Sequence, residues 1–321
     1  MMSLRRYTAN DASAWDKFIE KSKNGTFLFK RQYMDYHSDR FKDHSLLFFD
    51  KKNHLISVLP ANEVENTDGT RWLYSHQGLT YGGFVLNAKA TMTMVLELFE
   101  QTISYLKDNG FSVFYYKQIP TCYHLYPAEE DEYALWKLGA QLAVCNISST
   151  IHLNNTFYNV PFERRRKRGI KKAKEKNYDI KETNDISIFW SIIKDNLLSR
   201  YNATPVHTKE EMQLLMQRFP NNIKCFIAEK DNKTEAGVIL YITQLTIHVQ
   251  YGHASLKGKH DGALDLLYNY IIGKSAEKKY HYLDIGISNE DGGKYLNENL
   301  IAQKEGFGAR GIAYKQWKLI I

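Results

Sequence analysis

The chain has 321 residues, with 43% hydrophobic and 13% aromatic residues, 19 glycines and 6 prolines. That is enough to build two ordinary cores, and it gives no low-complexity signal. Net charge is +7. Residues 164–176, from Arg164 to Lys176, hold nine basic residues and one acid; taking these from the chain's 43 basic and 36 acidic residues leaves 34 and 35. The excess is one local anion-attracting segment and not a nucleic-acid-coating surface.

In chain order, a short strand at 4–7 leads to a helix at 12–21 with Trp15, Phe18 and Ile19 inward, broken by Gly25. A second helix is expected at 31–41. A hairpin comes next, with strands at 45–49 and 55–64 about a turn at 50–53. Then come a strand at 72–75, the glycine-bracketed block GLTYGGFVL, a long helix at 89–109 and a strand at 112–118. A short helix at 130–138 and a strand at 141–153 complete this half. The segment NNTFYNVPF reads as a linker, and the basic run as a surface helix over about 162–177. The order then recurs: helices at 186–200 and 209–218, a charged hairpin over 224–242, a strand at 245–254, a long helix at 261–279, a strand at 281–287, a helix at 293–304 and strands in 309–321. Thr208 and Glu211 read as a capping box for the helix at 209. This repetition of element order predicts an α+β protein of two domains, 1–153 and 154–321. Each is a mixed, mostly antiparallel sheet flanked by helices, the final strand packing back on the first domain.

Chemistry concentrates in the second half. In the strand from 282, Leu283, Ile285 and Ile287 alternate with Tyr282, Asp284, Gly286 and Ser288, so a carboxylate and a hydroxyl share one face. The polar loop Ser288-Asn289-Glu290-Asp291 then starts a helix, Lys304 closes it, and Gly306 stands where a left-handed cap is expected. In the strand from 245, Leu245, Ile247, Val249 and Tyr251 form an apolar face opposite Thr246, His248, Gln250 and Gly252. Lys257, Gly258, Lys259, His260, Asp261 and Gly262 come after it as a basic, glycine-containing loop opening into a helix, the composition of a phosphate site. His207 lies in an aromatic and proline-bearing loop after Arg200, where it could titrate near neutral pH. In the first half, His76, Gln77 and Tyr81 lie among glycines that let backbone approach a ligand. There is no Walker loop, zinc helix or Gly-x-Ser-x-Gly elbow, and the three cysteines are scattered as reduced thiols with no metal-ligand spacing.

LDIGISNEDGGKYLNENLIAQKEGFGAR resembles the closing segment of the acyl-CoA N-acyltransferase (GNAT) superfamily, in the branch related to Fem-type peptidoglycan-bridge aminoacyltransferases. GLTYGGFVL, RRRKRGIKKAKEK and PVHTKEE add matches in the same order, so the resemblance spans nearly the whole chain. It implies two tandem GNAT-like domains and an acyltransferase that moves an acyl group from acyl-CoA, acetyl-CoA first, to an amine or hydroxyl of a cell-envelope sugar or its nucleotide- or lipid-linked precursor. Amine acylation needs a proton acceptor and a held oxyanion. Glu290 is the expected base, Asp284 its orienting partner and His207 a second acid–base group. The donor falls to Lys257, Gly258, Lys259, His260, Gly262 and Lys304. The acceptor falls to Lys30, His76, Tyr81, Arg200, Tyr201, Gln250 and Ser288. Two rivals stand beside this: the same fold fed by aminoacyl-tRNA, and a non-catalytic protein using the basic helix on nucleic acid or a membrane surface. No apolar run reaches the ~20 residues of a membrane span. The N-terminus lacks the apolar core of a signal peptide. A cytoplasmic protein is expected, touching the inner membrane face through residues 164–176.

Overall fold

The computed structural model describes residues 2–153 and 160–321, apart from the side chains of Arg200 and Tyr201. Most of the expected linker lies outside these residues. The chain forms two compact units: residues 1–146 with 291–293 and 312–321, and residues 147–290 with 294–311.

The first unit contains β1 (Ser3–Arg6), α1 (Ala12–Lys21), α2 (Arg31–Met34), β2 (Lys42–Asp43), β3 (Leu46–Phe49), β4 (Leu55–Leu59), β5 (Asn62–Glu65), β6 (Arg71–Tyr74), β7 (Val85–Leu86), α3 (Met92–Asp108), β8 (Val113–Lys117), α4 (Glu130–Lys137) and the start of β9 (Gln141–His152). Two expectations change here. The single strand read over 55–64 is two strands in different sheets. Pro60, which lacks an N–H, falls between them. The helix read over 31–41 is one α-turn and then a 3-10 turn at Asp35–His37. β4 lies between β3 and β7, while β5 lies between β2 and β6. The core stacks Phe84, Phe99, Phe114 and Tyr116 against Val95 and Leu98 of α3. Thr91 caps α3 by accepting the Met94 N–H.

The second unit adds α5 (Arg164–Glu175), β10 (Asp179–Thr183), α6 (Ser187–Tyr201), α7 (Lys209–Arg218), β11 (Ile223–Lys230), β12 (Lys233–Ile242), β13 (Thr246–Ala254), α8 (Leu256–Asp261), α9 (Ala263–Glu277), β14 (Tyr282–Ile287), β15 (Asn289–Glu290), β16 (Tyr295–Leu296), α10 (Glu298–Glu305) and β17 (Arg310–Ile320). β17 passes into the first unit, where Gln316–Ile320 pair antiparallel with β8. The helix expected from 293 begins only at Glu298, capped by Asn297, because residues 289–296 form a small β-hairpin. Gly306 is right-handed, and the left-handed turn falls at Gly308, φ +87°.

β10 to β13 run as an antiparallel meander, β14 joins β13 in parallel, and β9 pairs antiparallel with β14. Ile247, Val249, Leu283 and Ile285 pack under Leu267 and Ile271 of α9. Two bulges interrupt these strands. Ile239 pairs with Tyr251 but Leu240 with Val249, which leaves Gln250 as the extra residue in β13. In β14 the register against β9 shifts between Asp284 and Ile287, around Gly286 at φ +85°. The parallel pairing of β13 and β14 covers only Thr246–Tyr282 to His248–Asp284; beyond it the strands part.

Candidate functional site

The parting strands open a cavity of about 390 Å³. β13 supplies Gln250 and Tyr251, the end of β14 and β15 supply Ser288 and Glu290, α10 supplies Gln303 and Lys304, and α8 supplies Lys259. Five residues expected at a site from sequence (Gln250, Lys259, Ser288, Glu290 and Lys304) therefore line one cavity. Ser288 is buried, and its Oγ finds no hydrogen-bond partner among the described residues; the same is true of Gln250 Oε1. Unsatisfied buried polar atoms on a cavity wall cost stability unless a ligand or water serves them.

Lys304 is 8% exposed, and its Nζ donates to the carbonyls of Gly286 (2.8 Å) and Ile287 (2.7 Å). Burial lowers its pKa to about 8, with the charge of Asp284 opposing the fall. Glu290 is exposed at the rim and accepts from Asn297 Nδ2 at 3.0 Å.

Asp284 lies below the fork, fully buried. Its Oδ1 accepts from Ser148 Oγ and from the Gly286 N–H (3.0 Å), and its Oδ2 faces His248 Nδ1 at 2.8 Å. A buried carboxylate needs such donors to offset lost hydration. Sequence reading had placed His248 on the polar face without assigning it a role. Its partner is 36 positions away and Ser148 lies 136 from Asp284, so only the pairing of β14 with both β13 and β9 could have signalled the cluster.

Tyr251 departs from the expected apolar face. The extra residue at Gln250 turns it to the α6 side, where its ring meets Trp190 at 5.5 Å and its hydroxyl meets His207 Nδ1 at 3.0 Å. Burial pushes Tyr251 up to about 12. His207 is buried and meets the cavity-lining Tyr251. Arg200 and Tyr201 end α6, their side chains outside the described set.

The segment expected as a loop is instead the helix α8, with Ser255 Oγ accepting the Gly258 N–H at 2.9 Å. Burial pushes the Asp261 carboxyl up, but donors from Lys176, His260, Lys257 and Tyr178 outweigh it and hold it well below the usual carboxylate range. Lys257 and His260 are thereby committed to Asp261. The glycines serve close packing. A Cβ on Gly258 would stand 2.2 Å from the Glu235 carbonyl oxygen, and one on Gly262 would stand 2.3 Å from that of Gly169. A groove of about 320 Å³ beside them, lined by Arg165, His260 and Asp265, shares Lys259, Leu264 and Gln303 with the cavity.

The remaining expected residues belong to the first unit. Lys30 pairs with Glu20 at 2.7 Å. Tyr81 is buried between Phe29 and Tyr123, its hydroxyl donating to Thr26 at 3.2 Å. His76 is buried at φ +86° and stacked on His37 at 5.3 Å; burial, then the His37 charge, lowers it to about 3.

No family model matches this sequence, and no curated protein matches it. Solved structures do. This chain and FemX share 10% identity at a TM-score of 0.74, over 99% of this chain and 97% of FemX. L-PGS from Bacillus licheniformis aligns at 0.60 with 11% identity, over 98% and 92%. A tandem GNAT protein from the clavulanic acid biosynthesis pathway aligns at 0.55 with 10% identity, over 100% and 98%. The fold is GNAT-like and similar to that of FemX. Within this GNAT-like chain, no group of three or more metal-ligating side chains stands together among the described residues, and none of their helices is long and apolar enough to cross a membrane.

Proposed function

We propose that the chain is an acyltransferase acting in the second unit, moving an acyl group from acyl-CoA to an amine, or a hydroxyl, of a cell-envelope sugar or its nucleotide- or lipid-linked precursor. The observation that carries this is the cavity in the fork of β13 and β14, with the ammonium of Lys304 and the unpartnered Ser288 Oγ on its wall. An ester or thioester laid into the fork meets polar groups that its carbonyl can satisfy. Lys304 brings a fixed cation toward the oxygen on which charge develops. Glu290 at the rim draws in the amine acceptor, and Gln250 fixes its orientation. Asp284 acts from beneath, and His207 through Tyr251. On the donor side, Lys259 with Arg165 provides the cationic contacts for donor phosphates, and His260 lines the same groove. Lys257, Gly258 and Gly262 shape that wall by packing. Lys30, His76, Tyr81, Arg200 and Tyr201 remain proposed acceptor contacts. The protein works in the cytoplasm, its basic α5 toward the anionic inner membrane face.

A second reading, aminoacyl-tRNA as donor, is favoured by one observation. α8 and the α5 backbone at Gly169 stand against the start of α9, where a bare helix N-terminus would otherwise serve a pyrophosphate. Purified protein is offered radiolabelled acetyl-CoA or alanyl-tRNA, with UDP-glucosamine as acceptor. Transfer from acetyl-CoA supports the first donor. Transfer only from charged tRNA, abolished by RNase, replaces it with the second. Tight vesicle or RNA binding without transfer from either donor leaves a binding protein.

A further inference from the structure

One cluster at the fork has no part in these roles beyond its buried carboxylate. His248 is the last residue of β13 paired with β14 before the strands separate, and its partner in register is Asp284. The imidazole is 13% exposed and the carboxylate 0%. Asp284 Oδ2 takes the Nδ1 side at 2.8 Å, while Ser148 and the Gly286 amide hold the other oxygen. A carboxylate on Nδ1 selects the tautomer that carries its proton there, which leaves Nε2 with a free lone pair. Nε2 has no protein partner among the described residues. The backbone of Gly286 lies beside the ring, where a Cβ would stand in ordinary van der Waals contact, 3.6 Å from Cε1. A partly exposed imidazole whose far side is locked by a hydrogen-bonded, fully buried carboxylate exceeds what a strand end needs for packing.

We propose that His248 is the general base of the transfer and Asp284 its positioning residue, an assignment that rests on the transferase reading. The acceptor nitrogen attacks the carbonyl carbon of the acyl thioester or ester. As the C–N bond forms, the N–H proton passes to His248 Nε2 and the carbonyl π pair moves onto oxygen. That pair then returns, the C–S or C–O bond to the carrier breaks, and the leaving thiolate or alkoxide takes the proton from the imidazolium. Base and leaving-group acid are thus one residue, and Glu290 has no proton to carry. Around the ring the charged and titratable groups are Asp284 on β14, Lys304 on α10 through the Gly286 carbonyl, Tyr241 opposite on β12, and the Tyr251–His207 pair.

Two measurements decide this. Nitrogen-15 NMR of the full-length chain labelled at histidine, with His248 assigned through His248→Gln, is expected to show the Nδ1–H tautomer with an unprotonated Nε2 at pH 8. An Nε2–H tautomer overturns the proposal without any activity being needed. The second is the pH profile of acetyl or alanyl transfer to UDP-glucosamine. His248→Gln is expected to lower kcat by about 10²–10⁴-fold with KM nearly unchanged, and to abolish the acidic limb of the profile. Glu290→Gln is expected to keep that limb. Asp284→Asn is expected to lower kcat with KM nearly unchanged and to disturb the Nδ1–H tautomer in the nitrogen-15 spectrum, since Nδ1 loses its carboxylate partner. If wild type transfers and His248→Gln does so within threefold, with the same limb, the assignment falls alone. If wild type transfers from neither donor, the transferase reading falls and takes the assignment with it.

Discussion

Lys304→Met tests whether an ammonium is held in the cavity at the expense of stability. The side chain is buried, its charge is met by two carbonyl oxygens and no carboxylate contacts it directly among the described hydrogen bonds. Its pKa falls from 10.5 to about 8. At ~1.4 kcal/mol per pH unit this makes the folded chain up to ~3 kcal/mol less stable below pH 8 than it would be with a freely hydrated lysine. The sign comes from proton counts. Between pH 8 and 10.5 the unfolded chain keeps the proton and the folded chain has lost it, so stability rises with pH in that window. Below it, both states are protonated and the cost is constant. Methionine keeps the length and drops the titration, but leaves the Gly286 and Ile287 carbonyls without their donor, a loss of ~1–3 kcal/mol that does not depend on pH. The absolute difference between variant and wild type is therefore small at pH 7, whereas its pH dependence is not. Urea unfolding at half-unit steps from pH 7 to 10 is expected to show wild type gaining ~2–3 kcal/mol on Lys304→Met as pH rises. Parallel curves across that range would mean the ammonium is hydrated and the cavity open to bulk water, and the electrostatic role given to Lys304 would fail with it. Transfer activity of the variant is expected to drop by ~10²-fold or more.

The same geometry sets three further outcomes. Asp131, buried in the first unit with Tyr116 and Gln118 as donors, is raised by burial to about 7. The stability linked to its protonated form is lost as pH rises from ~4 to 7, and Asp131→Asn is expected to be stabilising by ~1–3 kcal/mol at pH 8 and to lose that advantage by pH 4, read by urea melts. Gly258→Ala drives a Cβ into the Glu235 carbonyl and is expected to cost ~2–3 kcal/mol; unchanged stability with a raised donor KM would restore the phosphate-loop reading. Arg166→Ala strands Asp265, which burial already raises, and is expected to cost ~3–5 kcal/mol. Arg168→Ala, exposed on the same helix, is expected to stay within ~0.5 kcal/mol in the same melts.

Local signals carried the secondary structure wherever neighbours in sequence decide it. α7 starts where Thr208 and Glu211 exchange their capping bonds, at 3.0 and 2.7 Å, and ends at Arg218 as its apolar spacing requires. They failed where a distant backbone intervenes. Gly258 and Gly262 read as phosphate-loop glycines because nothing local shows Glu235 and Gly169 lying against them. The strand through 55–64 read as one because its alternation continues past Pro60, while the sheet it joins changes. Residue types alone drew attention to Gln250, Ser288, Glu290 and Lys304, since polar groups on otherwise apolar strands and helices need a reason. His248 escaped because its meaning lies in a partner reached only when β13 and β14 align in parallel.

The same contrast explains why the site lies where it does. A parallel strand pair with α9 beneath it would normally close over its whole length, and every polar group on it would be a liability. Here an extra residue at Gln250 and a left-handed glycine at 286 interrupt both strands within three positions of the last paired residues. Pairing stops at the rung His248 with Asp284, and the cavity opens beyond it between Val249 and Gln250 on one strand and Ile285 and Ser288 on the other. The bulges that cost the sheet its hydrogen bonds are thus what create the cavity, and the buried carboxylate is offset by imidazole, hydroxyl and amide donors on the strands that the bulges hold in register.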